Sequence, residues 1–211
     1  CAQEVIDSKR FEFMNDSINN VYAYRNLSYI EKMARHEYVS SLYVYDLKEG
    51  RSDLFFKNLA SCECVIAEGR KASIYSGMGQ DLDIRSKNWF ETPAGSATEY
   101  VNKYMRGTQI PLLKLSEMYL IAAEASGDIR YLETLRANRG YATDPLPAGA
   151  NLQDEITKEY QKEFIAEGQL FYYYKRRNMA ILPITSTSMN RATYVLPVPD
   201  NELEFGNFKQ N

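Results

Sequence analysis

Residues 109–139 constrain the fold more than any other stretch, because their pattern predicts two helices joined by a tight turn. Pro111 suits a first helical position, where a missing N–H is tolerated, so the first helix is expected to begin there. Gly127 can supply its left-handed C-terminal residue. Asp128 can cap the second helix, and Gly140 can end it as Gly127 ends the first. The stretch therefore predicts an αα-hairpin.

A further helix is predicted to begin after Asn151, whose side chain is suited to an N-cap. Four apolar side chains then recur at i, i+4 spacing, namely Leu152, Ile156, Tyr160 and Phe164. Lys158 and Lys162 fall on a different face, so the helix is expected to pack by one side only. Gly168 interrupts this pattern before the aromatic run that follows.

The segment before the hairpin shows shorter and less regular patterns. Residues 39–46 are rich in β-branched and aromatic side chains, which is typical of a strand, and residues 100–105 resemble a second one. Residues 51–80 contain several glycines and predict a long irregular excursion, which in a compact domain is usually functional or mobile. Helices are expected at residues 1–9 and 21–36.

These patterns predict a mostly α-helical fold of tetratricopeptide-like helix pairs, with a loop-rich flank that contains a few short strands. The chain has 211 residues, which is enough for one substantial core. We expect a helical lead-in at residues 1–38, the irregular flank at residues 39–108 and a helical core at residues 109–211.

Charge and apolar content give no support for nucleic-acid binding or for a membrane span. Lysine and arginine number 25 against 28 aspartates and glutamates, so the net charge of −3 gives no basic footprint for a nucleic acid. The only basic run, at residues 175–177, falls where a helix is expected to end. No stretch approaches the roughly 20 apolar residues of a membrane span.

The 17 tyrosines suit sugar or protein contacts, or alternatively the packing between helices.

The sequence offers no clear metal or cofactor site. Cys62 and Cys64 would share one face of a strand, but no histidine or further cysteine lies near them to complete a zinc site. His36 is the only histidine and has no sequence context for a catalytic triad. We therefore expect no cofactor and no metal.

Two glutamate pairs are the strongest candidates for acid–base chemistry. Glu163 and Glu167 are spaced i, i+4, and Glu117 and Glu124 are seven residues apart. A glycosidase needs two carboxyl groups roughly 5–9.5 Å apart across a cleft. Buried pairing between packed helices explains the same glutamates without catalysis, because arginines are available as partners: Arg136, Arg139, Arg176 and Arg177. We favour the structural interpretation.

Several segments in their order resemble the C-terminal half of SusD/RagB-type proteins. They are residues 110–125, 135–140 and 163–171, the Lys175-Arg176 pair, and residues 196–199 with Glu202. Asp83-Ile84-Arg85 and residues 2–11 resemble earlier motifs of the same family. The motif residues expected to be structural are Asp83, Arg85, Glu117, Glu124, Arg136, Arg139, Glu163, Glu167, Gly168 and Arg176.

The resemblance implies a function as well as a fold. Members of this family are outer-membrane lipoproteins that sit on a SusC-like TonB-dependent transporter and capture glycans or peptides for import. We therefore expect non-enzymatic capture of an oligosaccharide or peptide at the cell surface, with contact to the membrane only through a lipid anchor. The family's usual aspartate after the Glu-Gly motif is replaced within residues 171–174, and its usual tryptophan after the arginine is absent.

Two other functions fit the sequence less closely, an intracellular helical-repeat adaptor that binds a peptide, and a glycoside hydrolase. For a captured ligand we select Arg70, Tyr75 and Trp89, because sugars stack on aromatic faces while polar groups fix their orientation. The alternative for Trp89 is a place in the core.

The first helix predicts additional sequence before Cys1. It has no N-cap signal, and Ala2, Val5 and Ile6 are spaced to face a partner helix. Helices this short are marginal alone, since roughly 12–15 residues are needed even for good helix formers. Family members are typically about twice this length, so we expect an N-terminal half with its own signal peptide and a different, lipidated cysteine. The alternative is that Cys1 is itself the lipidated first residue of a mature lipoprotein.

Overall fold

The computed structural model describes residues 2–13, 35–43, 65–66, 69–75, 82–92, 99–101, 103, 109–141 and 145–206. It confirms a mostly helical fold with short strands. The chain divides into two compact units, Cys1–Ala166 and Glu167–Asn211. The expected strand end at residues 44–46 and most of the helix expected at residues 21–36 lie outside the described residues.

The described helices are α1 Ala2–Asp7, α2 Arg70–Tyr75, α3 Ile84–Asn88, α4 Leu115–Ser126, α5 Ile129–Arg136, α6 Leu152–Glu163, α7 Gln169–Arg176 and α8 Asp200–Phe205. The described strands are β1 Tyr38–Tyr43, β2 Val65–Ile66, β3 Phe90–Glu91, β4 Glu99–Val101 and β5 Gln109–Lys114. Strands β1 and β5 form an antiparallel pair, and β4 lies between β2 and β3 in a second antiparallel sheet.

Pro111 does not begin a helix, which corrects the prediction. It lies within β5 opposite Ser41, beside a shift in the register of the β1–β5 pair, and α4 begins four residues later at Leu115. Proline is tolerated in edge strands and at irregularities in their pairing, because the missing N–H then removes no ladder hydrogen bond. The missing N–H of proline is therefore compatible both with a first helical turn and with an edge strand.

The predicted αα-hairpin is confirmed. Gly127 adopts a left-handed conformation with φ 70° and donates its N–H to the carbonyl of Ala123, which ends α4. The Asp128 carboxylate accepts the N–H of Arg130 and caps α5. Helix α5 ends at Arg136 and continues as a wide turn at Ala137–Tyr141, within which Gly140 has φ 103°. Gly127 therefore ends its helix as expected, whereas α5 ends four residues before Gly140, which lies in the wide turn instead.

Helix α4 is the centre of the first unit. Helices α1, α5 and α6 all contact it, and its Leu120 and Ala123 are fully buried. Beside it the ring of Phe13 lies 5.0 Å from that of Tyr119, which in turn lies 6.2 Å from that of Tyr131. This aromatic group attaches the N-terminal segment to the helix pair.

Helix α6 begins as predicted, because the Asn151 side chain accepts the N–H groups of Gln153 and Asp154. Its apolar stripe is buried at Ile156, Tyr160 and Phe164. Lys162 is buried as well, so the expectation that it shares an outward face with the exposed Lys158 is wrong. Its ammonium group lies 3.0 Å from the Glu159 carboxylate, and buried charges are kept in this way by pairing.

Two left-handed residues flank the start of the second unit in the chain, Ala166 just before it and Gly168 within it. Helix α6 ends at Glu163, before the predicted break at Gly168, which has φ 76° and precedes α7. The aromatic run at residues 171–174 lies within α7, and Lys175 and Arg176 occupy its last turn, as predicted. Residues 177–199 form turns around an isolated Ile181–Ser188 bridge, so the expected helical core does not extend through them.

Candidate functional site

A buried charge cluster forms around Arg85 in the first unit. Its guanidinium Nη2 lies 2.8 Å from Asp83 Oδ2 and 2.8 Å from Glu159 Oε2, and Nη1 lies 3.1 Å from Glu163 Oε2. All four side chains are at most 1% exposed. A single arginine thus neutralises parts of three carboxylates that come from α6 and from the start of α3.

Arg139 extends the cluster to the segment before β1. Its Nη1 and Nη2 donate to the two Glu37 carboxylate oxygens at 2.9 and 2.7 Å. Its Nε and Nη2 donate to the Glu163 carboxylate at 3.1 Å each. Glu163 therefore accepts from two arginines, and such bidentate pairs are the strong form of charged hydrogen bond.

Lysines complete the cluster at the C-terminal end of α6. Lys114 Nζ lies 3.6 Å from Glu163 Oε1 and donates to the Glu163 carbonyl at 3.3 Å. Lys103 donates to the same carbonyl, and Lys162 contacts Glu159. Cations stabilise a helix C-terminus because its last carbonyls carry partial negative charge. The cluster holds this helix end in place.

Two local features position Arg85. Asp83 caps α3, where its carboxylate accepts the Arg85 N–H at 2.9 Å and the Arg85 Nε–H at 3.0 Å. The carbonyl of Leu82 packs so closely on Gly140 that a Cβ at that glycine would lie 2.1 Å from the oxygen. The start of α3 therefore packs directly against the wide turn that follows α5.

The cluster keeps the carboxylates of Glu159 and Glu163 ionised. Burial alone would raise the pKa of Glu159, but Arg85 and Lys162 outweigh it and lower that pKa to about 2. Burial likewise opposes the charge of Glu163, but Arg139, Lys114 and Arg85 hold its pKa well below the usual range. Burial, and next the nearby Asp83, raise the pKa of the Tyr141 hydroxyl, which donates to that carboxylate.

This arrangement suits structural support rather than acid catalysis. A general acid needs a pKa near the working pH and contact with its substrate. Glu159 and Glu163 have lowered pKa values and are almost fully enclosed. Among the described residues, no group of three or more histidine, cysteine, aspartate or glutamate side chains is arranged to hold a metal ion.

The lowered pKa values predict an acid-dependent stability. A carboxylate whose folded pKa lies below its unfolded value of about 4.3 contributes stability above that value. This contribution is lost as the pH falls toward the folded value, which for Glu159 is about 2. We expect the free energy of unfolding to fall between about pH 5 and pH 2. Urea titrations across this interval will test it, and Glu159→Gln should reduce the slope.

The structure brings together five of the motif residues that the sequence identified, Asp83, Arg85, Arg136, Arg139 and Glu163. The predicted pairing of a glutamate with arginines is confirmed at Glu163. Glu117 and Glu124 are half-buried on α4. In the second unit Glu167 is half-buried, and the Arg176 guanidinium carbon lies 5.5 Å from the centre of the Tyr173 ring.

Sequence reasoning missed six members of the cluster: Glu37, Lys103, Lys114, Tyr141, Glu159 and Lys162. A signal existed for one of them, because Glu159 is spaced i, i+4 from Glu163 and therefore shares its helix face. Glu37 lies 102 residues from Arg139, and no local pattern indicates such a contact.

The three candidate ligand residues have different surroundings. Tyr75 is fully buried, its ring packs on Phe90, and its hydroxyl donates to the carbonyl of Lys162 at 3.1 Å. The binding role predicted for Tyr75 is therefore corrected to a role in the core. Trp89 is half-buried and has the Lys103 ammonium 4.0 Å from its ring centre. Arg70 is half-buried at the first position of α2.

Comparison with family models, curated proteins and solved structures gives no significant match. In the described part of the chain, no helix combines the length and apolar character needed to cross a bilayer.

Proposed function

We propose that this protein is a non-enzymatic capture protein. It binds a glycan or a peptide at the outer, cell-surface face of the outer membrane and delivers it to a SusC-like TonB-dependent transporter. The observation that carries the proposal is that motif residues distant in sequence, Asp83, Arg85, Arg139 and Glu163, meet in one buried cluster. Three of the motifs that resemble the SusD/RagB family, those that contain Asp83 and Arg85, Arg139, and Glu163, thus support one another within the first unit.

Trp89 is the described residue best placed to contact a ligand in this proposal. Its backbone N–H donates to the carbonyl of Arg85, so the buried cluster fixes the position of the residue. The Lys103 ammonium contacts one face of its ring and also the carbonyl of Glu163. A rigid, half-exposed aromatic ring can stack on a sugar with little loss of conformational freedom.

Calorimetry with a panel of soluble oligosaccharides and peptides tests the proposal, followed by mass analysis of the recovered ligand. We expect binding without chemical change, and about fivefold weaker binding for Trp89→Ala, since one stacking contact contributes roughly 1 kcal/mol. Tyr172→Ala is the matched control, because this exposed tyrosine lies in the other unit. A cleaved ligand contradicts the proposal.

The genomic neighbourhood tests the transporter partner separately. A transporter gene immediately upstream supports capture and delivery, and co-purification of the two proteins from outer membranes is then expected. Ligand binding without any such transporter favours an adaptor instead.

A further inference from the structure

The outer edge of β1 is the backbone of residues 39–43 on the side away from β5. Strand β1 pairs with β5 alone among the described strands. The N-terminal segment contacts a residue just before the strand, where the Glu12 N–H donates to the His36 carbonyl. Leu42 and Tyr43 are 51% and 66% exposed. In the part of the chain that the structure describes, this edge offers alternate backbone N–H and C=O groups for pairing with another strand.

The opposite edge of the two-stranded sheet is less suited to pairing. Pro111 lies in β5 and has no N–H to donate, so it interrupts the hydrogen bonds that an added strand would make there. Lys114, at the end of the same strand, is held by Glu163. An incoming strand therefore has one favourable edge, that of β1.

We propose that the outer edge of β1 pairs antiparallel with the same edge of a second copy of this chain. The segment is self-complementary about Ser41. Antiparallel pairing on that residue sets Val39 opposite Tyr43 and Ser40 opposite Leu42 in both halves, and aromatic–β-branched pairs stabilise a sheet. Residues 38–45 carry no charge, so like charges do not oppose the approach of the two strands. The result is a two-fold symmetric dimer with a four-stranded sheet.

The expected association is weak and dependent on concentration. Five residues from each strand bury less than the roughly 1,200 Å² of a standard protein interface. The β1–β5 register is also irregular near Ser40, and such irregularities limit the pairing of an edge. We expect a dissociation constant in the micromolar to millimolar range, on the order of other small interfaces.

Sedimentation velocity across a wide concentration range tests the dimer on the 211-residue chain. Leu42→Lys should weaken association at least about tenfold, because natural edge strands use lysine to prevent pairing. Leu112→Lys is the matched control, because Leu112 is similarly exposed, at 45%, but lies on β5. The control should dimerise like the unmodified chain. A monomer at every concentration, or equal effects of the two substitutions, would overturn the proposal.

A cross-link tests the register independently. Residues directly opposite in an antiparallel pair have Cα atoms about 4.5–5.5 Å apart, which a disulfide can span. Ser41→Cys should therefore form a symmetric Cys–Cys link under mild oxidation, identified by peptide mapping against the natural cysteines. Ser40→Cys should not link to itself, because its partner in this register is Leu42. Equal self-linking at both positions, or none at position 41, contradicts the arrangement.

Discussion

Replacing Arg85 with methionine is expected to lower the free energy of unfolding by about 3–5 kcal/mol. The substitution keeps much of the side-chain volume but leaves Asp83, Glu159 and Glu163 without the guanidinium that lies 2.8–3.1 Å from each of them. An uncompensated charge in the interior is costly, because water cannot replace the lost partner. Urea unfolding followed by circular dichroism measures the change.

Arg130→Met is the matched control for this experiment. Arg130 also pairs with an aspartate, Asp128, at 2.6 Å, but its side chain is 84% exposed. Solvent screens such a surface pair, so the unfolding midpoint should stay close to that of the unmodified protein. A similar loss of stability in both variants would show that the buried Arg85 cluster contributes no more to the free energy of unfolding than a surface ion pair does.

The helix boundaries that could be predicted are those set by local chemistry. Gly127, Asp128 and Asn151 act through their own backbone or through atoms two or three residues away, so a sequence window contains the whole cause. Pro111 shows the limit of this reasoning. Proline fits both a first helical turn and an edge strand. The choice depends on β1, whose pairing residues lie about 70 positions earlier in the chain.

The sequence indicated that a buried glutamate–arginine pair would form, but it did not indicate most of the residues that surround this pair in the charge cluster. The availability of arginines on the predicted helices indicated that Glu163 could form a buried ion pair, and that pair forms with Arg139. Lysine and glutamate are almost never fully buried unless they are paired. Without knowledge of their partners, Lys162 and Glu37 are therefore expected at the surface. Lys162 is paired with Glu159 on the same helix, whereas Glu37 is paired with Arg139 from a distant segment, which no local pattern indicates.

Replacing Gly140 with alanine is expected to lower the free energy of unfolding by about 2–6 kcal/mol, from backbone strain and overpacking of roughly 1–3 kcal/mol each. Gly140 has φ 103°, which L-residues rarely adopt, and the new Cβ would lie 2.1 Å from the Leu82 carbonyl oxygen. Relief requires the backbone at Leu82 to move. That backbone leads directly into Asp83 and Arg85, so the substitution should also disturb the charge cluster.

Gly127→Ala separates the two causes. Gly127 is also left-handed, at φ 70°, but no atom lies within 4 Å of its virtual Cβ. This variant therefore carries only the conformational penalty, roughly 1–2 kcal/mol. The acid dependence of unfolding gives a second readout: Gly140→Ala should flatten it, because a displaced Arg85 no longer lowers the pKa of Glu159 to the same extent. Gly127→Ala should leave it unchanged. Equal losses of stability with unaltered acid profiles would mean that the contact between Gly140 and Leu82 does not position Arg85.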